Sequence, residues 1–314
     1  MIAKSFSILY EKLLVVLAVI GFASCSTDPG AIPVDPAPPY TSPKDSTFLA
    51  SVQAVLDNSS KVFVQQFYYD SKKRLSLVAS EKKPSGSLVG TPVYSKELDS
   101  LYYTYASATD TLVTGILKKF YSYDNLGQLT GNAIVRYVFW YDNTGRIAGD
   151  STIVNGGTGS GYIELTNYTY TAPGVVNVFS KSITPGTGVQ TSNWTLSLQY
   201  DNRNNLLRQV QPGIQRDYVY SNFISPFKKI IKLGYSFTPV LYAFNMNPLL
   251  QLPYASATTL GVSSSHSNTS PPTVVNSSMT YTYRNDGYPL TVNFLPVVQG
   301  PSNLVSATFA YYKP

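Results

Sequence analysis

The stretch "NWTLSLQY", residues 193–200, sets Trp194, Leu196, Leu198 and Tyr200 in alternation with Thr195, Ser197 and Gln199. A period of two places the first set on one side of a pleated strand and the second on the other, the pattern of a half-buried β-strand. Further strand candidates are "LYYTYA" (101–106), "YIELTNYTY" (162–170), "VVNVFSKSI" (175–183), "RDYVYSNF" (216–223), "KKIIKLGYSF" (228–237) and "LVSATFAYY" (304–312). Glycine and proline punctuate them at "NGGTGSGY", "TPGTGV" and "QPGI". Helical spacing occurs twice. Residues 45–57 carry Phe48, Leu49, Val52, Val55 and Leu56 at such a spacing, with Ser46 as a cap, and residues 247–256 offer a turn or two before Pro253.

One local pattern is written five times: "FYYDSKKRL" (67–75), "FYSYDNLGQL" (120–129), "FWYDNTGRI" (139–147), "LQYDNRNNL" (198–206) and "TYRNDGYPL" (282–290). A strand ends in tyrosine, an aspartate bends the chain by bonding backbone ahead of it, a glycine or polar residue supplies positive φ, and an aliphatic residue starts the return strand. Asp70, Asp124, Asp142, Asp201 and the shifted Asp286 are therefore turn residues, with Gly127, Gly145 and Gly287 at the left-handed position.

These motifs resemble the YD repeat of bacterial cell-surface proteins. The whole stretch from about residue 60 to 314 resembles the YD-repeat-like lipoproteins of Bacteroidetes-type bacteria. The resemblance rests on order along the chain: Tyr-Asp turns, then the proline loops "ISPFKK" (224–229) and "MNPLLQLP" (246–253), the polar "SSSHSNTS" (263–270), and a last "YTYRNDGYPL" (281–290). It implies an exported, lipid-anchored protein built from successive hairpins. The first and fourth turns lack the glycine, and the spacing between motifs is uneven.

The N-terminus agrees. Lys4 and Lys12 precede the apolar run 13–23, which is too short to cross a bilayer core of about 30 Å, and "FASC" ends at Cys25. This resembles a lipobox, with Cys25 as the lipidated first residue of the mature chain. Cys25 is the only cysteine, so an internal disulfide is excluded. Prolines 29, 33, 36, 38, 39 and 43 make residues 25–47 an extended tether. The organisation expected is a signal peptide (1–24), a lipidated cysteine with its tether (25–47) and one β-rich domain (48–314). That domain is all-β, a mostly antiparallel meander forming one large curved sheet with at most one or two short helices. The expected location is the outer membrane, on either side of it.

Composition narrows the chemistry. The chain has 26 tyrosines, one histidine, 13% charged residues and a net charge of +6. The longest basic run is Lys72-Lys73-Arg74, so no nucleic-acid site is read. No Gly-Lys pair exists for a phosphate loop, and "GGTGSGY" misplaces the glycines of a hydrolase elbow. His266 is a loop residue without companions for a metal site, and "YDNLG" and "YDNTG" lack the ligand spacing of an EF-hand. No metal or cofactor is expected. Short Asp-Ser/Thr tripeptides at Ser46, Ser100, Thr111 and Ser151 resemble the O-glycosylation acceptor of the same bacteria.

Thirteen acids remain from Phe48 onward: the five turn aspartates and Asp57, Glu81, Glu97, Asp99, Asp110, Asp150, Glu164 and Asp217. Two of them converging in a cleft would make a glycosidase pair. The aromatic candidate is Trp140. In "RYVFWYDNTG" it lies with Arg136 and Val138, opposite Tyr137, Phe139 and Tyr141. If the Tyr face is core, Trp140 beside Tyr68 and Phe120 forms a platform for a sugar ring or a partner; if something covers that face, Trp140 is core. The reading is a non-enzymatic envelope protein that binds or scaffolds. The alternatives are a carbohydrate-binding lipoprotein and a secreted glycan-active enzyme.

Overall fold

The computed structural model describes residues 48–56, 61–84, 96–107, 112–124, 126–156, 161–202, 205–227, 259–269, 272–295 and 304–312. The chain divides into two units, Met1–Pro39 and Tyr40–Pro314, and the described residues belong to the second. Cys25, the tether and the helix candidate at 247–256 lie outside the described residues.

The structure is all-β. Its strands are β1 Leu49–Leu56, β2 Lys61–Tyr69, β3 Leu75–Pro84, β4 Lys96–Tyr105, β5 Val113–Tyr123, β6 Leu129–Tyr141, β7 Ile147–Gly156 and β8 Tyr162–Ala172. They continue as β9 Val175–Ile183, β10 Gln190–Tyr200, β11 Leu206–Gln211, β12 Ile214–Ile224, β13 Thr259–Thr269, β14 Pro272–Tyr283, β15 Pro289–Leu295 and β16 Leu304–Tyr311. Each pairs antiparallel with the next, and β1 also pairs with β16, with Val52 opposite Phe309. The meander therefore closes on itself as a barrel, which leaves no free sheet edge.

Residues 49–56 form strand β1, where the spacing predicts a helix. The physical cause is a register shift between Leu49 and Ser51. A bulge puts two residues three apart on the same side, and Leu49 and Val52 are both fully buried. The i, i+3 pair that reads as helical is a bulged strand held between β16 and β2.

The inward face follows from the pairing. Phe63, Gln65, Phe67 and Tyr69 of β2 are buried, and their partners across β3 and β4 include Val78, Ser80, Asp99 and Leu101. The segment after β12 enters this interior as well. Phe227 is buried, with its ring 6.3 Å from Phe67 and 6.4 Å from Phe309.

A closed meander sends its turns alternately to two rims. The turns after β2, β6, β10 and β14, holding Asp70, Asp142, Asp201 and Asp286, share one rim. The Asp124 turn follows β5 and lies at the other. All five hairpins have the same register: Tyr69 pairs with Leu75, Tyr123 with Leu129, Tyr141 with Ile147, Tyr200 with Leu206 and Tyr283 with Pro289, each across a shift. At the fourth turn position Gly127, Gly145 and Gly287 have positive φ, and Lys73 adopts φ 62° where glycine is missing.

Candidate functional site

Tyrosines near the strand ends have a structural task. Six of them, Tyr69 and Tyr141 of the repeat and four outside it, form clasps from an even-numbered strand to the first carbonyl of the strand before it. Tyr69 Oη donates to Leu49 O at 2.9 Å, Tyr105 to Leu75 O at 2.7 Å and Tyr141 to Val113 O at 2.6 Å. Tyr170 donates to Ile147 O at 2.9 Å, Tyr220 to Leu206 O at 2.8 Å and Tyr311 to Pro289 O at 2.9 Å. Tyr312 Oη donates to Phe67 O of β2 at 2.7 Å, reaching past β1. Each clasp satisfies a carbonyl at the rim while its ring fills the interior beneath.

The aspartates hold the turns and aim the next layer. Asp70 Oδ1 accepts the backbone N–H of Lys72 and Arg74, and its Oδ2 accepts Arg74 Nε at 2.7 Å. Asp142 repeats this with Thr144 and Arg146, and Asp201 holds Asn205 the same way. The Thr144 hydroxyl, then Arg146, hold the Asp142 carboxyl well below the usual carboxylate range. The arginines so fixed stack on the clasping tyrosines of the next hairpin: Arg74 over Tyr105 and Arg146 over Tyr170, both at 4.2 Å. Asp124 binds the N–H groups of Leu126 and Gln128 at the other rim. In the last turn Arg284 occupies the aspartate position and pairs with Asp286 at 2.7 Å.

The three expected platform residues do not meet. Trp140 points outward from β6, 40% exposed, opposite Gly149 of β7, where a Cβ would collide with the indole. The ring lies over a glycine, the arrangement that repairs a bare strand position. Tyr68 also points outward but on β2, four strands away, where its hydroxyl donates to Gln66. Phe120 faces inward, paired with Asp99 on one side and Ala133 on the other. The cause is the rim: because the Asp124 turn is at the opposite end, inward positions on β5 are Ile116, Lys118, Phe120 and Ser122, and Tyr123 takes the other face. An outward concavity of about 670 Å³ on β8–β11, around Phe179, Thr195, Ser197 and Val210, contains no titratable group.

The chemistry lies inside. The inner face is aromatic and aliphatic near the clasped rim and polar at mid-height. Asp99 pairs with Lys118 Nζ at 3.0 Å, and burial pushes its carboxyl up against that pull. Two strands further round, Asp150 on β7 faces Thr166 on β8, and Thr152 faces Glu164, so the two carboxylates are diagonal neighbours. Asp150 is 1% exposed. Its Oδ2 accepts the Tyr168 hydroxyl at 2.7 Å, while its Oδ1 and the Thr152 hydroxyl have no partner among the described residues. Burial pushes the Asp150 carboxyl up to about 7, helped by the charge of Glu164 and opposed by the hydroxyls of Tyr168 and Thr166.

Glu164 is held differently. Its Oε1 accepts Trp194 Nε1 at 2.8 Å and Ser180 Oγ at 2.8 Å. Both donors stand on the neighbouring strands β10 and β9, so the carboxylate, the indole and the hydroxyl form one fixed group. Towards the rim away from the clasps the inner face opens: Tyr162 is 43% exposed, and Ser192 is exposed beside it on the same side of the sheet. An acid on the aromatic side of "YIELTNYTY" is the sequence signal for this site; Glu164 shares that side with Thr166, Tyr168 and Tyr170.

No protein-family model matches the chain, and no curated protein matches it. Among solved structures it is similar to a porin-like protein from Bacteroides uniformis, at 12% identity and a TM-score of 0.48, over 86% of this chain and 100% of that one.

Proposed function

We propose that the chain is an exported lipoprotein, anchored to the outer membrane through Cys25, whose barrel binds a glycan without turning it over. The observation that carries the reading is the polarity of the interior along its axis. Buried aromatic rings pack one end, with Phe227 drawn in among them. The other end offers Glu164, Trp194, Ser180 and Tyr162. A fixed carboxylate acceptor beside an indole and a phenol is the equipment that grips a polyhydroxylated ring: hydroxyls donate to the acid and the ring's C–H face lies on the aromatic. The packed end favours capture over passage. The outward face supports a body in water, because Lys119, Arg136, Lys181, Arg208 and Asp217 stand in mid-strand, where a lipid-facing belt would be apolar.

The test is a glycan array probed with the detergent-solubilised full chain, together with acyl labelling and membrane fractionation of Cys25→Ser. Specific glycan capture and loss of labelling in the variant are expected. Absence of any glycan signal from folded protein would remove the binding part. Unchanged labelling would remove the anchor.

A glycan-active enzyme is the second reading, favoured by the adjacency of Asp150 and Glu164. One carboxyl held protonated near neutrality beside a second carboxyl is an arrangement that glycoside hydrolysis uses. Release of nitrophenol from chromogenic glycosides, abolished by Glu164→Gln, would establish it.

A further inference from the structure

The geometry points to a ligand that carries a protonated amine: an amino sugar whose ring lies against Trp194 or Tyr162 and whose ammonium sits on Glu164, with Asp150 behind it. The inference rests on the glycan reading of the same site. It starts from an imbalance. Around Glu164, the inward neighbours are Thr152 and Asp150 on β7, Thr166 and Tyr162 on β8, Ser180 and Ser182 on β9, and Trp194 and Ser192 on β10. None of them is basic. Lys118 lies three strands away on β5 and is engaged by Asp99 at 3.0 Å. Among the described residues, the site therefore presents two carboxylates and no cation of its own.

A neutral sugar leaves that imbalance in place. An ammonium corrects it, because it donates to Glu164 and its charge is felt by Asp150 one diagonal away. The buried Asp150 oxygen and the Thr152 hydroxyl, both without partners among the described residues, are the second sign that something is missing here. Aromatic rings complete the fit. Tyr137 stands opposite Thr152, Tyr168 bonds Asp150, and Trp194 bonds Glu164, so a cation entering from the open side meets π-faces as well as acids.

Proton linkage gives a readout that a merely structural acid would lack. Without ligand, burial and Glu164 keep Asp150 protonated up to about pH 7. A bound ammonium stabilises the ionised form, so binding releases a proton from Asp150. Affinity then rises as pH rises from 5.5 to 7.

The test uses the full chain in detergent with Trp140→Phe, so that Trp194 is the reporter. Its fluorescence is titrated with glucosamine, glucose, N-acetylglucosamine and methylammonium at pH 5.5 and 7. The expected result is glucosamine binding at least tenfold tighter than N-acetylglucosamine. Its affinity should gain several-fold between the two pH values, lose at least tenfold in Glu164→Gln, and lose its pH dependence in Asp150→Asn. Circular dichroism and melting confirm that both variants are folded. Equal affinity for glucose and glucosamine overturns the inference and leaves the glycan reading standing. Methylammonium binding as tightly as glucosamine overturns the amino sugar and the glycan reading together. No response to any of the four probes overturns the inference, and the glycan array then decides the glycan reading by itself.

Discussion

Removing one hydroxyl oxygen, in Tyr69→Phe, separates the clasp from the packing it accompanies. The ring of Tyr69 is 1% exposed and stands edge-on to Phe48 at 5.0 Å, so phenylalanine keeps the shape and the apolar contacts. What goes is the O–H that Leu49 O accepts at 2.9 Å. A hydrogen bond of this kind contributes about 0.5–1.5 kcal/mol net, and leaving a buried acceptor bare raises the loss to about 1–3 kcal/mol. For a body of this size each kcal/mol is worth about 2–4 °C of melting temperature, so a fall of about 3–8 °C is expected by thermal scanning. Tyr68→Phe is the matched control, because its hydroxyl donates to the exposed Gln66 side chain at the surface; its change should stay within about 0.5 kcal/mol. If the two variants melt together, the clasps do not stabilise the barrel and the task given to Tyr69 is wrong.

Lys73→Gly should leave the fold intact and stabilise it by about 0.5–1 kcal/mol, measured by denaturant midpoint, because Lys73 holds φ 62° where the sister turns use glycine. Trp140→Ala should cost far less than the roughly 3–5 kcal/mol of a core tryptophan, since the indole is 40% exposed and lies over Gly149; a larger loss in melting would place it in a core. For Asp150 the folded carboxyl titrates near 7, above its unfolded value. The stability tied to its protonated form is therefore full below about pH 4 and is lost as pH rises through 7, by up to about 4 kcal/mol. Asp150→Asn should flatten that fall in a pH series of melting temperatures, and an identical slope in both proteins would contradict the shift.

The Tyr-Asp turns were legible in the sequence because their chemistry is local: aspartate to backbone two and four residues on, glycine at positive φ. The curved antiparallel sheet followed from alternation within single strands. The error at residues 49–56 came from a bulge, which makes a strand imitate helical spacing and is fixed by β16 and β2, both distant in sequence. Phe120 was misplaced for a similar reason. Five look-alike motifs do not reveal that one of them turns at the opposite rim, which reverses the faces of its strand. Glu164 and Asp150 belong to different strands, and only the register of β7 against β8 makes them neighbours. The tyrosine clasps span 14 to 30 residues along the chain, so the sequence shows each tyrosine but not its acceptor.

The central claim is that the repeated aspartates build the barrel while Glu164 and its neighbours bind. The most direct measurement is the affinity of the strongest array glycan for three full-length proteins in parallel: wild type, Glu164→Gln and Asp124→Ala. The account predicts binding at wild-type strength in Asp124→Ala, with melting lowered by about 1 kcal/mol from its lost turn bonds, and binding lost at least tenfold in Glu164→Gln with melting nearly preserved. Binding that survives in Glu164→Gln but disappears from a folded Asp124→Ala would contradict it.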